Sequence, residues 1–158
     1  MIRVLFISLN NKYRAPSARA IFSKIVGNQK LENRFFIDSS SILQDNTNSP
    51  LDEILTSVTN SKGYDLSDYT NHNMRLEKLS AFDYIITFDS DDYKAILKLT
   101  NPAIHSKINK LASYSHDHSY KEIKHPKEDK ESILFMINVL ENNLQDLFYH
   151  IKIDRKIH

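Results

Sequence analysis

The 158-residue chain contains no cysteine, and that one absence removes disulfides, thiolate metal sites and cysteine nucleophiles together. With two glycines and four prolines, it shows no repeat, low-complexity tract or interdomain linker. No apolar run approaches the ~20 residues that span a bilayer, and the opening MIRVLFISLNNKY turns polar too early for a signal peptide. An excess of charge is missing as well, since 21 basic side chains face 20 acidic ones. No global field draws the chain to nucleic acid or to a membrane surface, so any attraction for an anion is local. These absences lead us to expect one cytoplasmic domain over residues 1–158, without cofactor, metal, nucleic acid or membrane partner.

What is present is a foldable pattern, 41% hydrophobic and long enough to bury a core. IRVLFIS is a near-continuous β-rich run of the kind buried on both faces of a parallel sheet. A polar loop follows, and then SARAIFSKIV, with Pro16 in its first turn and Ala18, Ile21, Phe22 and Ile25 at helical spacing before Gly27 stops it.

RFFID reads as a second strand, and SPLDEILTSVTNSKG as a helix from Ser49 or Pro50 to Gly63. FDYIITF is a third strand, followed by the helix SDDYKAILKL with an acidic first turn that suits the helix dipole. KINKLASY supplies a fourth strand. A closing helix places Ile133, Met136, Ile137, Leu140, Leu144, Leu147 and Phe148 on one face. Strands alternating with helices predict a three-layer α/β/α domain around a four-stranded parallel sheet.

Ligands of such sheets bind beyond the carboxyl ends of the strands, where residues 8 to 15 lie. There Ser8 and Arg14 are spaced S-x5-R between strand and helix. Successive amides in such a loop form a concave nest, the helix N-terminus adds positive potential, and an arginine grips two phosphate oxygens. This makes Leu9, Asn10, Asn11, Lys12, Tyr13 and Arg14 the candidate phosphate ligands. His116 and His118 in SHDHS, two apart around Asp117, have no certain third ligand for a metal and read as a solvated loop.

The stretch ISLNNKYRAP resembles the V-C-x-G-N-x-C-R-S-P signature of the low molecular weight protein tyrosine phosphatases, matching it at Asn11, Arg14 and Pro16. Further segments are similar in chain order. FIDSSS looks like I-D-S-A-G-T, KGYDLSDY like G-I-x-L-S-x-H, FDYIITFDSDDYKAI like F-D-x-I-x-x-M-D-x-x-N-L, and KINKLASY like K-V-x-L-L-x-x-Y. EIKHPKEDKE resembles V-P-D-P-Y-Y-G, which sets His125 on the general-acid aspartate once one residue is deleted after Pro126.

In that family a cysteine thiolate attacks phosphorus, the arginine and loop amides hold the equatorial oxygens, and the aspartate protonates the leaving phenoxide. The resemblance puts Ser8 at the nucleophile, Arg14 at the arginine and His125 at the acid, with Asn11, Ser39 and Asp89 retained. It also shows four departures. Ser8 is an alcohol, which stays protonated without a base. Ala15 stands where a hydroxyl residue supports the nucleophile, Tyr13 where many relatives carry a second cysteine, and Asn10 where they carry glycine, a position asparagine tolerates in the left-handed conformation.

Aromatic walls for a phenyl ring are expected from Tyr13 and from Tyr93 or Tyr120. The reading that follows is a phosphatase-like domain that binds a phosphorylated protein, a small phosphate monoester, or inorganic phosphate or sulfate, with impaired chemistry. Two alternatives stay open: a working tyrosine phosphatase in which Ser8 is an introduced or slow nucleophile, and a partner-binding protein with a vestigial loop.

Overall fold

The computed structural model describes residues 1–43, 49–117 and 120–158. Four parallel strands, β1 (Ile2–Ser8), β2 (Phe35–Ser41), β3 (Tyr84–Thr87) and β4 (Ile108–Lys110), form one sheet in the order β2-β1-β3-β4. Strand β1 is central, and alternate side chains enter different cores, as a sheet covered on both faces requires. Val4 and Phe6 join a cluster with helices α1 (Arg14–Asn28) and α4 (Lys130–Asp154), whereas Leu5 and Ile7 join a smaller one that includes Ile96 of α3 (Ser90–Leu99). In the larger core the rings of Phe6 and Phe22 meet edge to face at 5.7 Å, and Phe22 meets Phe148 at 6.3 Å. The result is the expected three-layer α/β/α arrangement, with the β1–α1 loop at the carboxyl end of the sheet.

Several boundaries differ from the sequence reading. Helix α1 runs through Gly27 to Asn28, and the turn that ends it uses Lys30 at φ 57. The remaining helix, α2 (Glu53–Ser61), starts later than Ser49 or Pro50 because Asp52 caps it, accepting from the Leu55 amide at 3.0 Å. Its far end does use Gly63, at φ 82. Strand β4 is only three residues long, since Leu111–Tyr114 coil into a 3₁₀ turn. Phe148 is buried and Tyr149 lies on the rim, as the helical pattern implied.

Asp52 also accepts a hydrogen bond from the Tyr13 hydroxyl at 3.2 Å, so the α2 cap fastens the helix to the β1–α1 loop. Asp52→Ala is expected to lower the unfolding free energy by about 1–2 kcal/mol, the range of a lost N-cap. Urea denaturation reads this directly. An unchanged midpoint would mean that the cap contributes nothing to α2.

Candidate functional site

Strand β1 delivers Ser8 to the carboxyl end of the sheet, the chain loops through residues 9–13, and α1 begins at Arg14. The loop closes on itself through Ser8 Oγ, which accepts from the Asn11 amide at 3.1 Å and is only 1% exposed. Asn11 makes the turn possible: its φ of 50 is left-handed, a region asparagine enters more readily than most residues. The position expected to need that freedom was Asn10, but Asn10 is not among the positive-φ residues. Asn11 is in turn held by Tyr69, whose hydroxyl donates to its carbonyl at 2.8 Å, and by Asn71, whose Oδ1 faces its Nδ2 at 3.4 Å.

Helices α2, α3 and α4 each begin under an aspartate side chain, Asp52, Asp89 and Asp129 respectively. Helix α1 does not. Its N-cap position, Tyr13, makes no side-chain capping bond, and its first turn carries no acidic residue. Among the described residues the amides of Asn10, Lys12, Tyr13, Arg14 and Ala15 make no hydrogen bond. Uncapped first-turn amides with a helix dipole behind them are what an anion satisfies. The Leu9 amide, also expected to serve, is already committed to Asp92 Oδ1 at 2.9 Å.

Arg14 is 3% exposed and lies between two carboxylates, with Nη1 2.7 Å from Asp89 Oδ2 and 3.0 Å from Asp92 Oδ2. The same nitrogen donates to the Ile123 carbonyl at 2.9 Å. Among the described residues Nε and Nη2 make no such bond, which leaves one edge of the guanidinium for an anion. Ile123 is itself fixed, because its amide donates to the Phe88 carbonyl at 2.8 Å.

The two carboxylates differ in character. For Asp89, burial opposes ionisation, but the Asp92 amide and the Arg14 guanidinium outweigh it and hold the carboxyl below its usual range. For Asp92, fully buried, desolvation dominates; Arg14 pulls down and ionised Asp89 pushes up, and the balance lies at about 6. Sequence reasoning missed Asp92. The motif F-D-x-I-x-x-M-D-x-x-N-L carries asparagine at its position, so this chain has placed a second acid against Arg14.

His125 stands at the loop flank, its ring edge-on to Tyr13 with centroids 4.9 Å apart. Partial burial, then the nearby Arg14 charge, press its pKa below the ordinary histidine value, against weaker opposing pulls from Glu128 and Asp89. At neutral pH the ring is therefore mostly unprotonated. Tyr13 is buried and its hydroxyl is pushed up to about 12, by burial first and then by Asp52.

Of the other expected aromatic walls, Tyr120 packs against Phe135 at 5.8 Å in the groove that also contains His125, while Tyr93 belongs to the core on the other face of the sheet. Ala15 is fully buried. Ser39 lines a neighbouring cleft with Pro16, Arg19 and Tyr69. His116 pairs with Asp146 at 3.3 Å, and His118 lies outside the described residues.

The family model for low molecular weight phosphotyrosine protein phosphatase matches residues 3–157. The low molecular weight protein-tyrosine-phosphatase YfkJ of Bacillus subtilis is 27% identical over 126 residues, covering 80% of this chain and 81% of its own length. A protein tyrosine phosphatase from Entamoeba histolytica, solved with Hepes in its active site, superposes with a TM-score of 0.89 at 24% identity, covering 99% of both chains. A cysteine-to-serine mutant of the YwlE arginine phosphatase, its active-site serine phosphorylated, superposes with a TM-score of 0.87 at 18% identity, covering 99% of this chain and all of that one. No helix among the described residues is long and apolar enough to cross a membrane.

Proposed function

The chain belongs to the low molecular weight phosphotyrosine protein phosphatase family, and from that premise we propose that it binds phosphate monoesters of the phosphotyrosine type in the Ser8–Arg14 loop while turning them over poorly or not at all. One observation carries the binding half. Helix α1 lacks the aspartate cap that α2, α3 and α4 possess, so among the described residues the loop and first-turn amides of residues 10 and 12–15 have no acceptor beside the open edge of Arg14. The amides of Asn10, Lys12, Tyr13 and Arg14 and the Arg14 guanidinium are the proposed ligands. Leu9 and Asn11 are left out because Asp92 already takes the amide of the first and Ser8 Oγ that of the second.

The impaired chemistry follows from three groups. Ser8 is an alcohol whose Oγ accepts from Asn11, and among the described residues no carboxylate or imidazole is bonded to it as a base. His125 is depressed in pKa and so carries little proton to donate at neutral pH. Asp92 partly neutralises Arg14.

Calorimetric and NMR titration with phosphate, sulfate and phosphotyrosine tests the proposal. Binding is expected with amide shifts at residues 10–15 and loss on Arg14→Ala; silence at millimolar ligand, or binding indifferent to Arg14, refutes it.

A second reading is favoured by the phosphorylated serine in the YwlE mutant. Here Ser8 Oγ would slowly displace the leaving group from phosphorus, lose its proton to water, and remain as a stable phosphoserine. Mass spectrometry after long incubation with an aryl phosphate separates the two. A phosphoryl adduct on Ser8 supports this slow trap, and its absence with tight reversible binding supports the first reading.

A further inference from the structure

On the sheet face away from α1 and α4, the edge strand β2 is flanked at Ser41 by the bridged segment 72–74 and covered by the 3₁₀ turn Leu76–Ala81 rather than by an α-helix. Beneath that roof is a cavity of about 510 Å³, within the size range of small-molecule sites. Its floor is the row Phe36, Asp38 and Ser40, at two-residue spacing along β2. Each such step advances ~6.6–6.8 Å, so the floor is about 13 Å long.

Two buried polar atoms of residues that line this cavity have no partner among the described residues. Ser40 is 3% exposed and its Oγ bonds to nothing among the described residues; Arg3 Nε is likewise orphaned. Such groups are costly to leave unpaired in a native protein. Arg3 cannot withdraw to solvent, because its guanidinium stacks on Phe36 at 4.5 Å and lies 5.5 Å from Phe82.

The charge around the cavity has one sign. His72 and Asp38 answer each other at 3.2 Å, which leaves Arg3, Arg75 and Lys78 with no ion pair among the described residues. The Lys78 amide donates to the Arg75 carbonyl at 3.0 Å, closing a 3₁₀ turn. Side chains three apart eclipse in such a turn, so both cations overhang one side of the cavity.

We infer that this cavity is a second ligand site, separate from the phosphate loop, for a small planar aromatic compound that carries an anionic group. The ring lies on the Phe36, Phe82 and Met74 surfaces. The anion meets Arg75 and Lys78. The inference stands whether or not the loop turns over phosphate esters.

The probe is 6-hydroxy-2-naphthoate, added to the full chain and followed by calorimetry and amide NMR, with 2-naphthol as the analogue lacking the anion. Binding is expected with shifts confined to Phe36, residues 72–78 and Phe82. The exposed pair Arg75→Ala and Lys78→Ala, which leaves the core intact, should weaken it roughly tenfold or more, as expected for lost charge-assisted bonds. No binding at millimolar probe, equal binding of 2-naphthol, affinity untouched by the double variant, or shifts confined to residues 8–14 would each overturn the inference.

Discussion

Ser8→Cys is expected to raise aryl phosphate hydrolysis above that of the parent chain and to give a weak enzyme selective for activated esters. The loop supplies what a thiolate needs: the Asn11 amide already points at the side chain of residue 8 at 3.1 Å, and the uncapped α1 N-terminus lies behind it. Such surroundings can lower a cysteine pKa to ~3.5–7.5.

The leaving group remains the obstacle. A nitrophenolate departs without a proton, whereas the phenolate of phosphotyrosine needs one, and His125 is mostly deprotonated at neutral pH. Adding His125→Asp should therefore raise phosphotyrosine hydrolysis by up to ~10²–10⁴, the usual contribution of a placed general acid, and help nitrophenyl phosphate far less. Stopped-flow or malachite-green assays on the two substrates give the ratio. If Ser8→Cys alone hydrolyses phosphotyrosine as fast as the double variant, His125 does not stand at the acid position; if it already matches a full phosphatase, the pseudoenzyme reading fails.

The sheet was legible where burial left no choice. β1 and β3 are apolar on both faces, and nothing but a covered parallel strand accommodates that pattern. Boundaries were less legible because several residues of one chemistry compete for the same role. Ser49, Pro50 and Asp52 are all acceptable helix starts, and only the bond from the Leu55 amide decides for Asp52. The adjacent pair Asn10 and Asn11 hides in the same way which of the two takes the left-handed turn.

In the candidate site, spacing and the family resemblance put forward Ser8, Asn11, Arg14, Asp89 and His125. They did not put forward Asp92. An acid at the third position of a helix satisfies a local rule completely, and here it does form the reciprocal capping box with Asp89. Its second role, toward Arg14 and Leu9, depends on contacts 78 and 83 positions apart in the chain. The one sequence clue was the asparagine that the family motif carries there.

That substitution yields the other large expected effect. Sulfate stays a dianion across the range, so its affinity reports the protein's own titration. Asp92 has a pKa of about 6 in the empty site. An anion on the open edge of Arg14 favours the protonated carboxyl further, so binding takes up a proton. Below pH 6 the proton is already present and affinity is flat with respect to Asp92. Above pH 6 it must be captured, and affinity falls up to tenfold per unit, since each unit corresponds to about 1.4 kcal/mol.

Asp92→Asn removes the titration. One amide oxygen can keep either the Leu9 bond or the Arg14 side, and Arg14 Nη1 still has Asp89 and the Ile123 carbonyl. At pH 8, two units above the pKa, the variant should therefore bind sulfate up to ~100-fold more tightly than the parent, and at pH 5 about equally. His125 also titrates, but it is present in both proteins and cancels in the comparison. Calorimetry from pH 5 to 8 gives the two slopes. Parallel slopes would mean that Asp92 keeps its charge when the anion binds, and that its contact with Arg14 only positions the guanidinium.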